Sequence, residues 1–593
     1  MAKLVLISHR DGRIRENFRE EAEHLSQRLT PDNIPHAAPA MIVSGGIHIA
    51  VFGETAAISL KETGVAMGHL HHPDKSWFRP GEETPEGSFA LFKADRRFIE
   101  LATDIVGSRT IWYAQTPEVF IAATSQRALV YFLQSFEPNE EAFAWMLSGG
   151  TLGPGLSWDR RVRFLPPNSR LLLDRFSWSL SLNILPAVFE PEPLSKREHH
   201  RVLEKQIEDV LQEVSFDPEK WVLPLSGGYD SRLLLLLLKD RFPAIKCVTW
   251  GRDGALSQKW NDAQIAQDLC RMLNVRHDYF VTEISVESIE KVFGRFLTAG
   301  EGRIDHLEPY LDGFFVWKHL SEKGVKGIIR GDECFGSRCL YSELDFRKFV
   351  FATMISDYAE LREMDLPASF GQTWPERLRA RKDETLETWR DRLYCEYYFA
   401  HGLSALNDLK LSYVEIMNPL IFRRIVERVR KLPDRLRTEK ILLRKIVERR
   451  TPNVPFAKYP AIDLRRDYLK GKEVREFLND QLFSAPCRTV LPHSLISKIM
   501  ENLNNNHSGG VTQRFPIIRT LRPFFPPPVI KMIKKTLSLE ERIDYFDLAL
   551  RSCIVGSMTA LLSRDARELA EIYKPKRTIH APSENHCPVE PAP

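Results

Sequence analysis

Apolar positions in the first ~190 residues fall into short alternating or β-branched runs: LVLIS, AMIVSGGIHIAVFG, GSFALFKA, TIWYA, VFIAATS and SRLLLDRFSWSLSLNIL. Gly, Pro and Asp turns break them. That period predicts a region made mostly of sheet. Between Pro186 and Pro193 the string PAVFEPEP reads as a connector, and SKREHHRVLEKQIEDVLQEV then shows helical spacing. From Trp221 the pattern changes to strands alternating with helices. WVLPL precedes Leu233 to Lys239, AIKCVTWG precedes NDAQIAQDLCRMLN, and FFVWKHLSEK precedes VKGIIRG. Such alternation predicts a parallel sheet wrapped by helices. Residues 343–573 read as mainly helical, interrupted by LNNNHSGG and FFPPPV, and residues 574–593 read as a disordered tail. The expected organisation is therefore 1–190, 191–573 and the tail.

Composition excludes some classes. With 593 residues, 43% of them hydrophobic, the chain can bury a large core, and a formal charge of +4 offers no basic block for nucleic acid. The eight cysteines lack CxxC or zinc spacing, in a chain too long to need disulfide staples, and read as reduced core thiols. The start, MAKLVLISHRDGR, has no hydrophobic signal core, and the run Leu233 to Leu238 is far shorter than the ~20 residues of a membrane span. The expectation is a cytoplasmic protein without a membrane partner.

The candidate chemistry lies where one apolar run is broken and resumes: VLPLSGGYDSRLLLLLLK, Val222 to Lys239. A glycine-rich turn from a parallel strand into a helix offers backbone N–H groups and a helix dipole to an anion. Ser226, Gly227, Gly228, Asp230 and Ser231 form that turn, with Leu225 before it and Arg232 after it. The hydroxyls can donate, and Asp230 can hold Mg²⁺ against phosphate. Neither GxxxxGK[ST] nor GxGxxG is present. Thr249, Trp250 and Gly331 end neighbouring predicted strands and complete the expected nucleotide site.

The string SGGxDS resembles the pyrophosphate loop of ATP pyrophosphatases, which cleave ATP between the α and β phosphates. GIIRGDECFGS, LPDRLRTEKILLRK and PNVPFAKYP extend the likeness to the synthetase domain of the asparagine synthetase superfamily. EGSFALFKADRRFIELATDIVGSRTIWYAQTPEVFIAATSQRALV and LPPNSRLLLD resemble its glutamine amidotransferase domain, with Asp104, Gly107, Arg109, Trp112 and Tyr113 aligned. The resemblance implies an α/β and α+β chain: an N-terminal Ntn-hydrolase-like αββα sandwich, then a parallel α/β ATP-pyrophosphatase domain with helical additions. It implies ATP and Mg²⁺, with Asp230 and Asp332 as metal ligands and Asp332, Glu333 and Lys458 as catalytic positions. Lys440 and Arg444 match a helix that is structural. The family's glutamate three residues before Asp332 falls on Ile329 here, and Glu301, Asp305 and Glu308 are the candidates to replace it.

The amidotransferase chemistry of this superfamily needs a cysteine at position 2. Position 2 is Ala2, and no cysteine precedes Cys247. The implied activity is AMP-forming amide-bond formation through an acyl-adenylate without glutamine hydrolysis. The superfamily branches that suit this state are the β-lactam synthetases and lasso-peptide cyclases. The implied partners are a carboxylate with its amine, a precursor peptide among the options, and a protease or peptide-binding protein; a homodimer stays open. An ammonia-using asparagine synthetase and a nucleotide-binding pseudoenzyme are the rivals. His69, His71 and His72 read as solvated loop residues, and RRIVERVRKLPDRLR as a solvated basic surface.

Overall fold

The computed structural model describes residues 3–53, 57–340, 342–451, 453–462, 468, 470–504 and 542–573. Ala2, the FFPPPV stretch, most of LNNNHSGG and the 574–593 tail lie outside them.

The first region forms strands β1 (Lys3–His9), β2 (Ala40–Ser44), β3 (Ile47–Phe52), β4 (Ile58–Lys61), β5 (Gly64–His71), β6 (Glu86–Ala94), β7 (Phe98–Thr103), β8 (Trp112–Gln115), β9 (Val119–Ala123), β10 (Arg163–Phe164), β11 (Ser169–Asp174) and β12 (Ser179–Ile184), of which β4, β5, β7 and β10 lie outside the predicted runs. They form two antiparallel sheets, ordered β10-β8-β9-β1-β3-β2 and β12-β11-β7-β6-β5-β4. Alternation sends Leu4, Leu6, Ile49 and Val51 of one sheet against Val65, Met67, Phe92 and Leu101 of the other.

The opposite face of β1 and β3, carrying Val5, Ile7 and Phe52, packs on Phe18, Leu25 and Leu129 of helices Phe18–Leu29 and Gln126–Leu133. The second sheet has no such layer among the described residues. Its outer face meets Trp77 and Phe78, and His69 and His71 lie against Phe422.

The connector at Pro186 to Pro193 is followed by helix Lys196–Glu213, started by a capping box between Ser195 and Glu198. The later strands β13 (Trp221–Pro224), β14 (Lys246–Gly251), β15 (Arg276–Val281), β16 (Gly327–Ile329) and β17 (Glu415–Met417) form one parallel sheet, ordered β15-β14-β13-β16-β17. β13 is central: Val222 pairs with Lys246 on one side and Ile328 on the other. Helix Asp230–Leu238 buries Leu233, Leu234, Leu235 and Leu238 against it, so the leucine run is core.

Buried ion pairs join the first region to the rest: Lys3 to Glu301 at 2.6 Å, Arg109 to Glu415 at 3.0 Å and Arg127 to Asp565 at 2.7 Å. Asp565 belongs to helix Tyr545–Ile572, which is long and apolar enough to cross a membrane but is mostly buried in the core. The seven described cysteines are free and six are buried, in keeping with core thiols.

Candidate functional site

β13 ends at Pro224, and the chain turns through Leu225 to Tyr229 before helix Asp230–Leu238 begins. β16 ends beside it and leads into Gly331, Asp332 and Glu333. Between these strand ends lies a cavity of about 360 Å³, lined by Leu225, Ser226, Asp230, Ser231, Thr249, Trp250, Gly331 and Asp332. Eight of the sequence-predicted positions therefore meet at the carboxyl edge of a parallel sheet, where ligands bind in such folds.

The turn is tightly held. The Ser226 amide donates to Ser231 Oγ at 3.0 Å, the Gly228 amide to Ser226 Oγ at 3.3 Å, and the two hydroxyl oxygens are 3.0 Å apart. The Gly227 amide donates to Asp262 Oδ1 at 2.7 Å. A Cβ on Gly227 would sit 2.7 Å from the Ala457 Cβ, so that approach requires glycine, and one on Gly331 would sit a tight 3.1 Å from Asp230. The Ser226 and Gly228 amides thus spend their hydrogen bonds inside the turn, and the Gly227 amide spends its own on Asp262. Gly227 and Gly228 shape the loop and do not line the cavity.

Asp230 and Asp332 come together across Gly331, each already beside a cation. Lys440 Nζ lies 2.8 Å from Asp230 Oδ2 and 2.7 Å from Glu333 Oε1, and Arg330 Nη2 lies 2.8 Å from Asp332 Oδ1. Burial alone would raise the Asp332 pKa, but Arg330 outweighs it and holds the carboxyl below its usual value. Glu333 goes the other way: burial pushes it up to about 7, Asp230 adding and Lys440 opposing. Lys440 is held above the usual lysine value, because Glu333 and Asp230 overcome the cost of burying it. It has a left-handed backbone (φ 55°) directly after Glu439 (φ 59°), a strained pair of non-glycine residues of the kind that clusters at functional sites. Lys440 thus links two of the predicted carboxylates, Asp230 and Glu333, although it does not itself line the cavity.

Other predicted positions lie outside the cavity lining. Arg232 turns away from the cavity. It is fully buried, donates to Val454 O (3.0 Å), Pro455 O (2.7 Å) and Gly227 O (3.2 Å), and lies 4.1 Å from the Phe456 ring centroid, moored to the segment before Lys458. Lys458 is exposed; its ammonium lies over the Trp260 ring at 4.5 Å, while Pro460, Ala461 and Ile462 beyond it form the cavity wall. The proposed substitutes for the missing glutamate are elsewhere: Glu301 accepts from Lys3, Ser125 and the Gln126 amide, Asp305 pairs with Arg551 at 2.6 Å, and Glu308 does not line the cavity.

Sequence reading missed Asp262 and Arg330, which both line the cavity. Asp262 starts a helix just after β14, and its position at a strand's carboxyl end was the available signal. Burial raises its pKa, with the Gly227 amide and Arg232 opposing.

His72 is exposed beyond the end of β5, as expected, but His69 and His71 are not solvated loop residues. His69 and His71 lie on β5, and His71 is buried near Glu213 (2.9 Å) and Arg424 (2.9 Å). His71, His72 and Glu213 have metal-like spacing, but the Arg424 guanidinium ties Glu213, Glu86 and His71 together and supplies the positive charge there. The basic helix is likewise drawn inward: Arg428 pairs with Glu192 and Arg437 with Asp391, and both arginines are buried.

Asp230 Oδ1 is buried without a hydrogen-bond partner among the described residues, and Asp332 lines the same cavity, so these two carboxylates are the residues that could hold a divalent cation there. The sequence matches no protein-family model and no curated protein. The likeness to the asparagine synthetases thus rests on the motifs themselves.

Proposed function

We propose that the chain is an ATP-dependent, AMP-forming carbon–nitrogen ligase that activates a carboxylate and joins it to an amine without hydrolysing glutamine. The observation that carries this reading is the meeting of the SGGYDS turn and the GDE loop, on paired strands β13 and β16, around one cavity. Asp230 and Asp332 would hold Mg²⁺, which when bound neutralises phosphate charge. In the reaction, a substrate carboxylate oxygen bonds to the α phosphorus as the bond to the β-bridging oxygen breaks, and pyrophosphate leaves. The amine nitrogen then bonds to the acyl carbon, AMP departs, and the nitrogen loses a proton. Lys440 and Arg330 are fixed cations suited to the charge that builds on the phosphates.

The resemblance also supports the finer fold: an Ntn-hydrolase-like sandwich with a dead glutaminase, joined to an ATP-pyrophosphatase domain. A cyclase acting on a peptide or small molecule is the substrate class we favour. A nucleotide-binding pseudoenzyme is the second reading, favoured by the exposed Lys458 and the self-satisfied turn.

The test is product analysis with Mg²⁺, ATP and a panel of amino-carboxylates. AMP and pyrophosphate support the ligase, ADP and phosphate overturn it, and nucleotide binding without turnover of any panel member supports the pseudoenzyme.

A further inference from the structure

An open groove of about 650 Å³ runs between the first turn of helix Lys196–Glu213 and helix Ile441–Arg450. Lys196, Arg197, His200, Lys445 and Arg449 line it, with buried Leu442 as its floor. The Lys445 ammonium faces Lys196 closely enough to push its pKa below the usual lysine value, with Arg435 adding. Among the described residues, no carboxylate lies within the 4.0 Å ion-pair limit of Lys196, Arg197 or Lys445. The nearby acids are engaged: Glu204 pairs with Arg450 at 2.9 Å and Arg449 at 3.5 Å, and Glu448 accepts from Tyr229 Oη at 3.3 Å.

Like charges facing across a groove repel until a counter-charge enters. We propose that this groove docks an acidic segment of a polypeptide, its carboxylates between Lys196 and Lys445 and an apolar side chain on Leu442. A peptide fits better than a nucleic acid. The lining holds no Phe, Tyr or Trp on which bases would stack.

The docked segment would also touch the candidate site's support. Helix Ile441–Arg450 starts directly after Lys440, and Arg444 on it lies 5.3 Å from the ring of Tyr229 in the SGGYDS turn. Docking itself does not depend on the nucleotide reading.

The experiment is fluorescence anisotropy at low salt without nucleotide, using a labelled glutamate-rich peptide containing leucine, a lysine-rich counterpart and a short single-stranded RNA. The intact chain should bind the acidic peptide in preference to both, and the double variant Lys196→Glu/Lys445→Glu should weaken that binding by about tenfold or more and flatten its salt dependence. Both positions are exposed, so circular dichroism should show an unchanged fold. A conservative Lys196→Gln/Lys445→Gln variant, giving a smaller loss, serves if the reversal misfolds. No binding of the acidic peptide, equal binding by the variants, or tighter binding of RNA overturns the proposal.

Discussion

Replacing Arg232 by Met keeps an apolar stem of similar length and removes one buried guanidinium. In the native structure that group donates to three carbonyls, at 2.7, 3.0 and 3.2 Å, and covers the Phe456 ring at 4.1 Å. Burial pushes its pKa down to about 10, with Tyr229 and Asp262 opposing, so it stays charged at neutral pH. Hydrogen bonds to a charged donor are worth about 1.5–3 kcal/mol each, and each carbonyl left unpaired costs about 1–3 kcal/mol. Against these stands the several kcal/mol spent desolvating the guanidinium, which the variant recovers. The net loss should be about 3 kcal/mol, three carbonyls being left unpaired at about 1 kcal/mol or more each once the recovered desolvation is set against the lost hydrogen bonds. The loss should be local first, because the Ala457 amide bonds to Gly227 O at 3.1 Å and couples this segment to the turn. Hydrogen exchange should therefore rise at residues 454–462 and at the turn before the rest of the parallel sheet responds, and the urea midpoint should fall. Arg232→Lys should recover less than half the loss, since one ammonium cannot reach all three carbonyls. A loss below about 1 kcal/mol, or exchange rising uniformly across the sheet, would refute the mooring role.

Three further outcomes follow from the site. Asp332→Asn should abolish AMP formation while Lys458→Ala spares ATP binding and lowers amide formation; equal loss of ATP affinity by calorimetry would contradict the separate roles. Because Ala2 supplies no nucleophile, purified protein should release no ammonia from glutamine above background, and measurable release would end the dead-glutaminase reading. Glu333 is raised from 4.5 to about 7, chiefly by burial, so in that window the unfolded chain has lost a proton that the folded chain keeps. Its contribution to stability therefore falls as pH rises through the window and is level above it, and Glu333→Gln should gain on the native chain between about pH 5 and about pH 8. An unchanged difference in urea midpoint would show that Lys440 cancels the burial term.

Local pattern was enough to reveal β1, β3, β6, β9, β13, β14 and the leucine helix, because burying one face or both writes a period into adjacent residues. The SGGYDS turn was legible for the same reason, its glycines and short polar side chains being demanded by a close approach within a few residues. What local pattern could not carry was the identity of distant partners. His71 looked solvated because Phe422 and Arg424, which cover it, lie 350 positions away. Arg428 and Arg437 looked like surface because Glu192 and Asp391 reach them only after folding. Arg232 looked like a phosphate ligand until the Val454, Pro455 and Gly227 carbonyls gave it somewhere else to point. Lys440 looked like an ordinary helix residue, since nothing nearby in sequence announces that two left-handed residues swing its ammonium between Asp230 and Glu333. Periodicity is a property of neighbours along the chain, and it determined the sheets and the turn. Charge pairing is a property of neighbours in space, and only the tertiary structure decided which carboxylates, cations and carbonyls share a site.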